Sequence, residues 1–114
     1  MARLYKIVAA SHWQAAAHDG VFRGSAADLR DGFIHFSTAA QVEATAAKHF
    51  AGQAGLVLLT VDGARLGAAL KWEPSRGGAL FPHLYGELDV KAVTKVESLP
   101  LSAAGRHIFP PLAE

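Results

Sequence analysis

Six histidines and no cysteine decide which chemistry is open to this 114-residue chain. Without thiols there is no disulfide, iron–sulfur cluster, thiolate zinc site or cysteine nucleophile, so acid–base work falls to imidazole, carboxylate and hydroxyl groups. His35 has the most suggestive setting. Around it, Asp31-Gly32-Phe33-Ile34-His35-Phe36-Ser37-Thr38 reads as a turn, a buried strand and a helix start in quick succession. Strand alternation sends Ile34 and Phe36 to one face and Phe33, His35 and Ser37 to the other, so one face supplies core and the other chemistry. A helix capped by Ser37 or Thr38 would offer unpaired amides and a positive dipole end, which suit a phosphate or carboxylate within imidazole reach. The plainer reading of His35 is a hydrogen-bonded core histidine.

A second group lies further along. Phe81, His83 and Tyr85 share one face of a strand and either complete a pocket or form a half-buried aromatic face with polar tips. Trp72 reads as core, or as a ring that stacks on a base or sugar. Glu73 is either a solvent-facing strand residue or a general base and ribose-hydroxyl acceptor. Lys6 and Arg76 read as surface charges, or as contacts to an anionic ligand. His12 and His18, six apart, do not share a helical face and read as exposed helix residues. A metal site from His35, His83 and Glu73 has acceptable ligand types but no spacing rule behind it, and no metal is expected. The chain lacks a Walker loop, Gly-x-Gly-x-x-Gly, His-Glu-x-x-His and Gly-x-Ser-x-Gly, which removes motif support for triphosphatase, Rossmann, zincin and hydrolase-elbow chemistry.

The elements that must position these residues follow from periodicity and turn signals. Arg3 to Ala9 alternates as a first strand, with Leu4, Lys6 and Val8 opposite Tyr5 and Ile7. Ser11 is expected to cap a helix from His12 to Asp19, anchored by Trp13 and ended by Gly20. Val21 to Arg23 fits a brief strand, and Gly24-Ser25 opens a helical turn with Asp28 and Arg30 exposed. After the His35 strand, Ala39, Val42, Ala46 and Phe50 form one helical stripe. Leu56 to Val61 is almost continuously apolar, the mark of a central strand covered on both faces. Strands around Leu70 to Glu73 and Leu80 to Tyr85 flank the glycine-rich loop Pro74 to Gly78, and Pro82 argues against a central ladder position. Asp89 to Leu99 reads as a helical turn running into an edge strand that exposes Lys91, Lys95 and Glu97. From Pro100 the tail has no periodicity and is expected to be irregular and mobile.

At this length the chain makes one domain with a real core. Hydrophobic residues are 51% and charged residues 18%, a globular composition that argues against disorder. A formal net charge of +1 gives no concentrated basic face, so long nucleic acid is not an expected partner, whereas a nucleotide-sized anion is compatible. Met1-Ala2-Arg3 leads into the first strand without the apolar run of a signal peptide, and no stretch approaches membrane-spanning length. The expectation is a soluble, cytoplasmic protein with no membrane partner; its oligomeric state is not legible.

In order, LYKI near the start, DGFIHFSTAAQ, LVLLTVD, ARLG, LKWE and GGALFPHLYGEL closely resemble the bacterial domain-of-unknown-function family nine-five-two. The likeness runs over roughly residues 3 to 99 and is most specific in GFIHFST and FPHLYG. That family is grouped by fold with ADP-ribosyltransferases and carries no settled activity. The resemblance therefore implies an α+β fold over residues 1–100, with a split, bent antiparallel sheet and a few short helices around a nicotinamide-binding cleft, followed by an irregular tail at 101–114. Ile34-His35-Phe36-Ser37, a helix and Leu56-Val57-Leu58-Leu59 look like the middle segment of RNA 2′-phosphotransferases of the same fold. His35 then takes the second signature position, where other members carry Tyr or Ser. Tyr5-Lys6 falls near the first, where lysine departs from the usual His or Arg. The third position is usually a late-strand Glu, but Phe81-Pro82-His83-Leu84-Tyr85 offers no carboxylate until Glu87. That second departure counts against ordinary protein ADP-ribosylation, since the glutamate orients the ribose and supports an oxocarbenium-like transition state.

The expectation is a transferase-like domain that binds NAD, as substrate rather than resident cofactor, or another phosphorylated ribonucleotide. His35 and His83 would be catalytic, with Tyr5, Lys6, Ser37, Thr38, Trp72, Glu73 and Tyr85 lining the substrate site. The rivals are a non-catalytic ligand-binding or protein-interaction module that kept the fold and lost the catalytic set, and a purely structural partner domain.

Overall fold

The alternation of Arg3–Ala9 produces the first strand, β1, with all five residues between its ends buried. In the computed structural model, residues 3–114 are described; Met1, Ala2 and the side chain of Arg76 lie outside the described residues, and with them the expectations placed there. Helix α1 (Ala10–Asp19) follows without a break. Its N-cap is Ala9 and no side chain caps it, so Ser11 does not have the capping role expected of it. The strand's last residue already supplies the extended N-cap geometry, which leaves no turn for a serine to fill. At the other end Gly20 takes the left-handed conformation and ends the helix as expected.

A two-residue strand, β2 (Val21–Phe22), leads to α2 (Ala26–Asp31). Here Ser25 and Asp28 form a reciprocal capping box, and Gly32 closes the helix at positive φ. Strand β3 (Ile34–His35) is shorter than the sequence suggests. Helix α3 (Val42–His49) starts four residues beyond Thr38, with Gln41 as an uncapped N-cap. Residues 39–41 form a turn leading into it: the Thr38 carbonyl accepts from the Gln41 and Val42 amides at 3.0 Å, and the Gln41 side-chain carbonyl accepts from the Thr38 amide at 3.0 Å.

Strand β4 (Leu56–Asp62) then passes between β1 and β8 (Val93–Leu99), antiparallel to both. Its two faces feed two cores. Leu59 and Val61 join Leu4, Val8, Phe22, Ile34 and Phe36, while Leu56 and Leu58 pack with Ile7, Val42 and Ala46 beneath α3. Burying each large apolar side chain favours folding by about 1.5–3 kcal/mol, which is why this strand can lack polar alternation.

After two 3-10 turns, β5 (Leu70–Pro74) and β6 (Leu80–Leu84) form a hairpin across the glycine loop, followed by β7 (Leu88–Asp89), which pairs with β2. The second three-stranded sheet has the order β3-β6-β5, so Pro82 sits in its central strand, contrary to expectation. Its carbonyl accepts from the Phe36 amide at 3.0 Å, on the β3 side. The missing N–H faces the same side, so the Phe36–Pro82 pair keeps one backbone bond where an antiparallel pair would exchange two, at the point where β3 ends. Tyr5 and Ser37 exchange backbone bonds of 2.8 and 2.9 Å, an isolated antiparallel bridge that joins β1 to the chain just beyond β3.

The fold is α+β, with three α-helices and eight strands in antiparallel pairing among the described residues. None of the helices is long and apolar enough to cross a membrane. The tail from Pro100 holds no named helix or strand, only the Leu101–His107 bridge, and it is docked rather than mobile. Phe109 and Leu112 pack on the α3 core, and the Tyr5 hydroxyl donates to the Ala113 carbonyl at 2.8 Å while accepting from its amide at 3.0 Å.

Candidate functional site

Residue alternation and register place His35 and His83 side by side. They are direct partners on β3 and β6, both pointing away from the core that holds Ile34, Phe36 and Leu84. Their ring centroids are 5.5 Å apart with the planes nearly perpendicular. Phe33, two residues before His35 on the same face, stacks on His83 at 4.0 Å and leans on His35 at 4.6 Å and Tyr85 at 5.3 Å. The four rings form one continuous cluster.

Each imidazole is held by a carboxylate through Nδ1. The His35 ring lies 2.7 Å from Asp28 Oδ1, and the His83 ring 2.8 Å from Glu73 Oε1. Such a contact fixes ring orientation and places the donor proton on Nδ1. His35 has a further acidic neighbour, with Nε2 at 3.0 Å from Asp31 Oδ2.

Asp28 was expected to be exposed and is 2% exposed instead. The Ser25 cap turns its carboxylate inward, where it accepts from the Ser25 amide, the His35 amide and ring, and the Lys6 ammonium. Burial pushes this carboxyl up, but those donors outweigh burial and hold it well below the usual carboxylate range. Lys6 is buried too, in place of the surface charge expected. It reaches from β1 to Asp28 Oδ2 at 3.0 Å and to the His35 carbonyl at 2.8 Å. Burial lowers its ammonium below the ordinary value, against the pull of Asp28.

Glu73 is arranged differently. It stands on β5, half-exposed, and accepts from His83 and from the Tyr85 hydroxyl at 2.8 Å. Those two bonds lower its carboxyl, His83 having the larger effect, and Glu73 in turn raises the Tyr85 phenol. The hairpin thus brings a carboxylate to the aromatic strand from the neighbouring one.

The structure brings together His35, His83, Glu73, Tyr85 and Lys6. It does not bring Ser37, Thr38, Tyr5 or Trp72 to the imidazoles by any bond. The Ser37 hydroxyl pairs with Thr45 at 3.1 Å, and the Thr38 amide is taken by Gln41. Tyr5 points to the tail. Trp72 is 43% exposed rather than core, on the opposite face of the hairpin from Glu73, because β5 is an edge strand. Asp28, Asp31 and Phe33 complete the site although their roles were not read from the sequence. The signal for Asp28 was present in Ser25-x-x-Asp28, a capping-box pattern that ties the carboxylate to the chain seven residues before His35. Among the described residues no three His, Asp or Glu side chains converge as a metal ion requires.

Comparison with solved structures finds the same fold in the Caulobacter crescentus protein CC0527. Its crystal structure is 54% identical, covers 93% of each chain and superposes with a TM-score of 0.90. A crystal structure of a double mutant of that protein gives 53%, the same coverage and 0.89, and its solution NMR structure gives 55% over 93% of this chain and 91% of that one, at 0.83. Comparison with curated proteins finds no match. The model of the family described as "Protein of unknown function (DUF952)" matches residues 7–96, a span that contains both histidine–carboxylate pairs, and this chain belongs to that family.

Proposed function

We propose that this domain binds a phosphorylated ribonucleotide-like small molecule, NAD among the candidates, and that His35 and His83 supply acid–base chemistry to it. The observation that carries the reading is the side-by-side pair of imidazoles, each oriented by its own carboxylate on one face of one sheet. Two oriented groups of this kind are what proton transfer to and from a reacting hydroxyl or phosphate needs. Phe33 and Tyr85 offer ring faces for stacking. The accessible charge beside them is negative, from Asp31 and Glu73, which suits the cationic nicotinamide ring of NAD better than a bare phosphate. Phosphates would lie toward Lys71, exposed on β5 in register with His83, rather than at Ser37 and Thr38. The ADP-ribosyltransferase-like grouping, the transferase class and a cytoplasmic setting belong to this same proposal and rest on the sequence resemblance.

One observation favours the second reading, a binding or interaction module without turnover. The two rings touch each other, and neither of the clefts of about 450 and 190 Å³ is lined by His35 or His83. A ligand would have to approach along the exposed edge of His35.

A thermal-shift panel of NAD, ADP-ribose, nucleoside phosphates and inorganic phosphate, on wild type and His35→Ala, tests the proposal. A ligand at a hundred times its dissociation constant stabilises by about 2.7 kcal/mol, several degrees for a domain of this size. A shift with NAD or ADP-ribose that vanishes in a cooperatively folded His35→Ala supports the site, and product formed from NAD over hours supports turnover. An equal shift in the variant overturns the assignment of His35. Saturable binding without product selects the non-catalytic reading.

A further inference from the structure

The largest cleft described above lies on the other side of the β1-β4-β8 sheet from the histidines. Register puts Arg3 and Tyr5 of β1, Thr60 and Asp62 of β4, and Lys95 and Glu97 of β8 on one face. The neighbouring part of that face is apolar and is covered by α3, Phe109 and Leu112. The polar part borders the tail, where the Tyr5 hydroxyl bonds the Ala113 backbone and Arg3 the Glu114 backbone oxygen. A space of about 450 Å³ stands over it, and the tail segment containing Pro111 and Ala113 forms its rim. That is within the range of small-molecule clefts, roughly 300–1,000 Å³.

The charges in this cleft are balanced but not spent on one another. Two are positive, Arg3 and Lys95, and two negative, Asp62 and Glu97, yet no ion pair forms among them. The Lys95 and Glu97 side chains make no hydrogen bond with any described residue. Among the described residues Arg3 donates to the Glu114 backbone oxygen, at 3.3 Å, and Asp62 accepts from the Ala64 amide, at 3.1 Å. Charged side chains on adjacent antiparallel strands are close enough to pair when nothing separates them. We infer that this cleft is a second ligand site, built for a small dipolar molecule of amino-acid or dipeptide size whose carboxylate meets Arg3 and Lys95 and whose ammonium meets Asp62 and Glu97.

The tail is part of the site. Tyr5 spends its one hydroxyl on both the carbonyl and the amide of Ala113, which pins the rim over the charged residues. A mixed set of charges selects against singly charged ligands, because each of those leaves one pair of side chains desolvated and unpaired.

Amide NMR titration with glycylglycine, N-acetylglycine and glycinamide tests the inference. Glycylglycine should give saturable shifts at Arg3, Thr60, Lys95 and Ala113, and the singly charged compounds should bind at least about tenfold more weakly, a loss of one charge-assisted contact. The double variant Lys95→Met, Glu97→Gln lies on an edge strand and should fold while losing the preference. Tyr5→Phe should weaken glycylglycine binding by releasing Ala113 while leaving the four charges in place. Equal binding of all three compounds, no saturable shift with glycylglycine, or an unchanged preference in the double variant overturns the site. Failure here would leave the His35 proposal standing, since the two sites share no side chain.

Discussion

The two histidine–carboxylate pairs use the same bond and invert everything around it. In the first the carboxylate is sealed and the ring is accessible: the Asp28 side chain is 2% exposed and that of His35 36%. In the second the ring is sealed and the carboxylate is accessible, with His83 at 5% and Glu73 at 38%. The difference follows from where each carboxylate originates. Asp28 belongs to a helix cap facing the core and is matched there by a buried lysine, whereas Glu73 comes from an edge strand with water on one side. A buried carboxylate holds its ring rigidly and stays ionised; a solvated one can change its charge and let the ring respond. Under the proposed function the first pair would present His35 to the ligand, and the second would hold His83 oriented beside it from a more sheltered position.

If that contrast is right, removing each carboxylate should have very different consequences for stability. Asp28→Ala strands the Lys6 ammonium in the core and also deprives two amides of their acceptor, so it should destabilise by roughly 3–5 kcal/mol in urea unfolding. Glu73→Ala, whose partners can turn to water, should move the same midpoint far less. Similar losses in the two variants would show that the pairs are energetically alike and would break the comparison. The contrast sharpens at Gly24. Its φ is +120°, and a methyl group there would stand 2.8 Å from the Asp28 β-carbon, backed by a helix that cannot yield. Gly24→Ala should cost about 1–3 kcal/mol of strain and displace the first pair alone. In imidazole NMR spectra the His35 signals should move and those of His83 stay; movement of both would mean that the pairs are mechanically one unit.

Most of the elements were legible because their signals are local. The alternation of β1, the apolar run of β4, the glycine stop of α1 and the turn into β8 each lie within a few residues of chain. The helix after His35 was legible as a stripe but not at its start, because the turn over residues 39–41 is held by a Gln41 side-chain bond to the Thr38 amide that periodicity ignores. The site was half legible. His35, His83 and Tyr85 stand on strand faces that alternation predicts, whereas the partner of each histidine depends on pairing between elements. Lys6 looked like a surface charge because an alternating strand can place a lysine on either face; only the burial of Asp28, itself hidden inside a capping pattern, explains why this one points inward. Glu73 was recognised as a candidate, but its place beside His83 required knowing that β5 and β6 are hairpin neighbours. The docked tail was missed for a similar reason, since its contacts are distant in sequence: the Tyr5 hydroxyl meets Ala113, 108 residues away, and Phe109 and Leu112 pack on the α3 core.

The smallest expected effect is also the most direct reading of the contrast, namely which carboxylate yields first to acid. Both are held below their ordinary values, 3.8 for Asp28 and 4.5 for Glu73. A carboxyl lowered by folding contributes stability that is fully present above its unfolded value and is lost as pH falls through its folded value. Glu73 begins higher and has solvent beside it, so it should take up its proton while Asp28 remains ionised among its buried donors. Side-chain carboxyl NMR from pH 6 downward should therefore show Glu73 titrating first, with the Tyr85 signals following it and the Asp28 carboxyl signal still unmoved. Tyr85→Phe removes one of the two donors that lower Glu73, so its midpoint should rise toward 4.5 with no change at Asp28. If the two carboxyls titrate together, or if the Tyr85 substitution shifts both, solvent exposure does not distinguish the pairs, and Asp28 and Glu73 must be treated as one coupled acid group spanning the ring cluster.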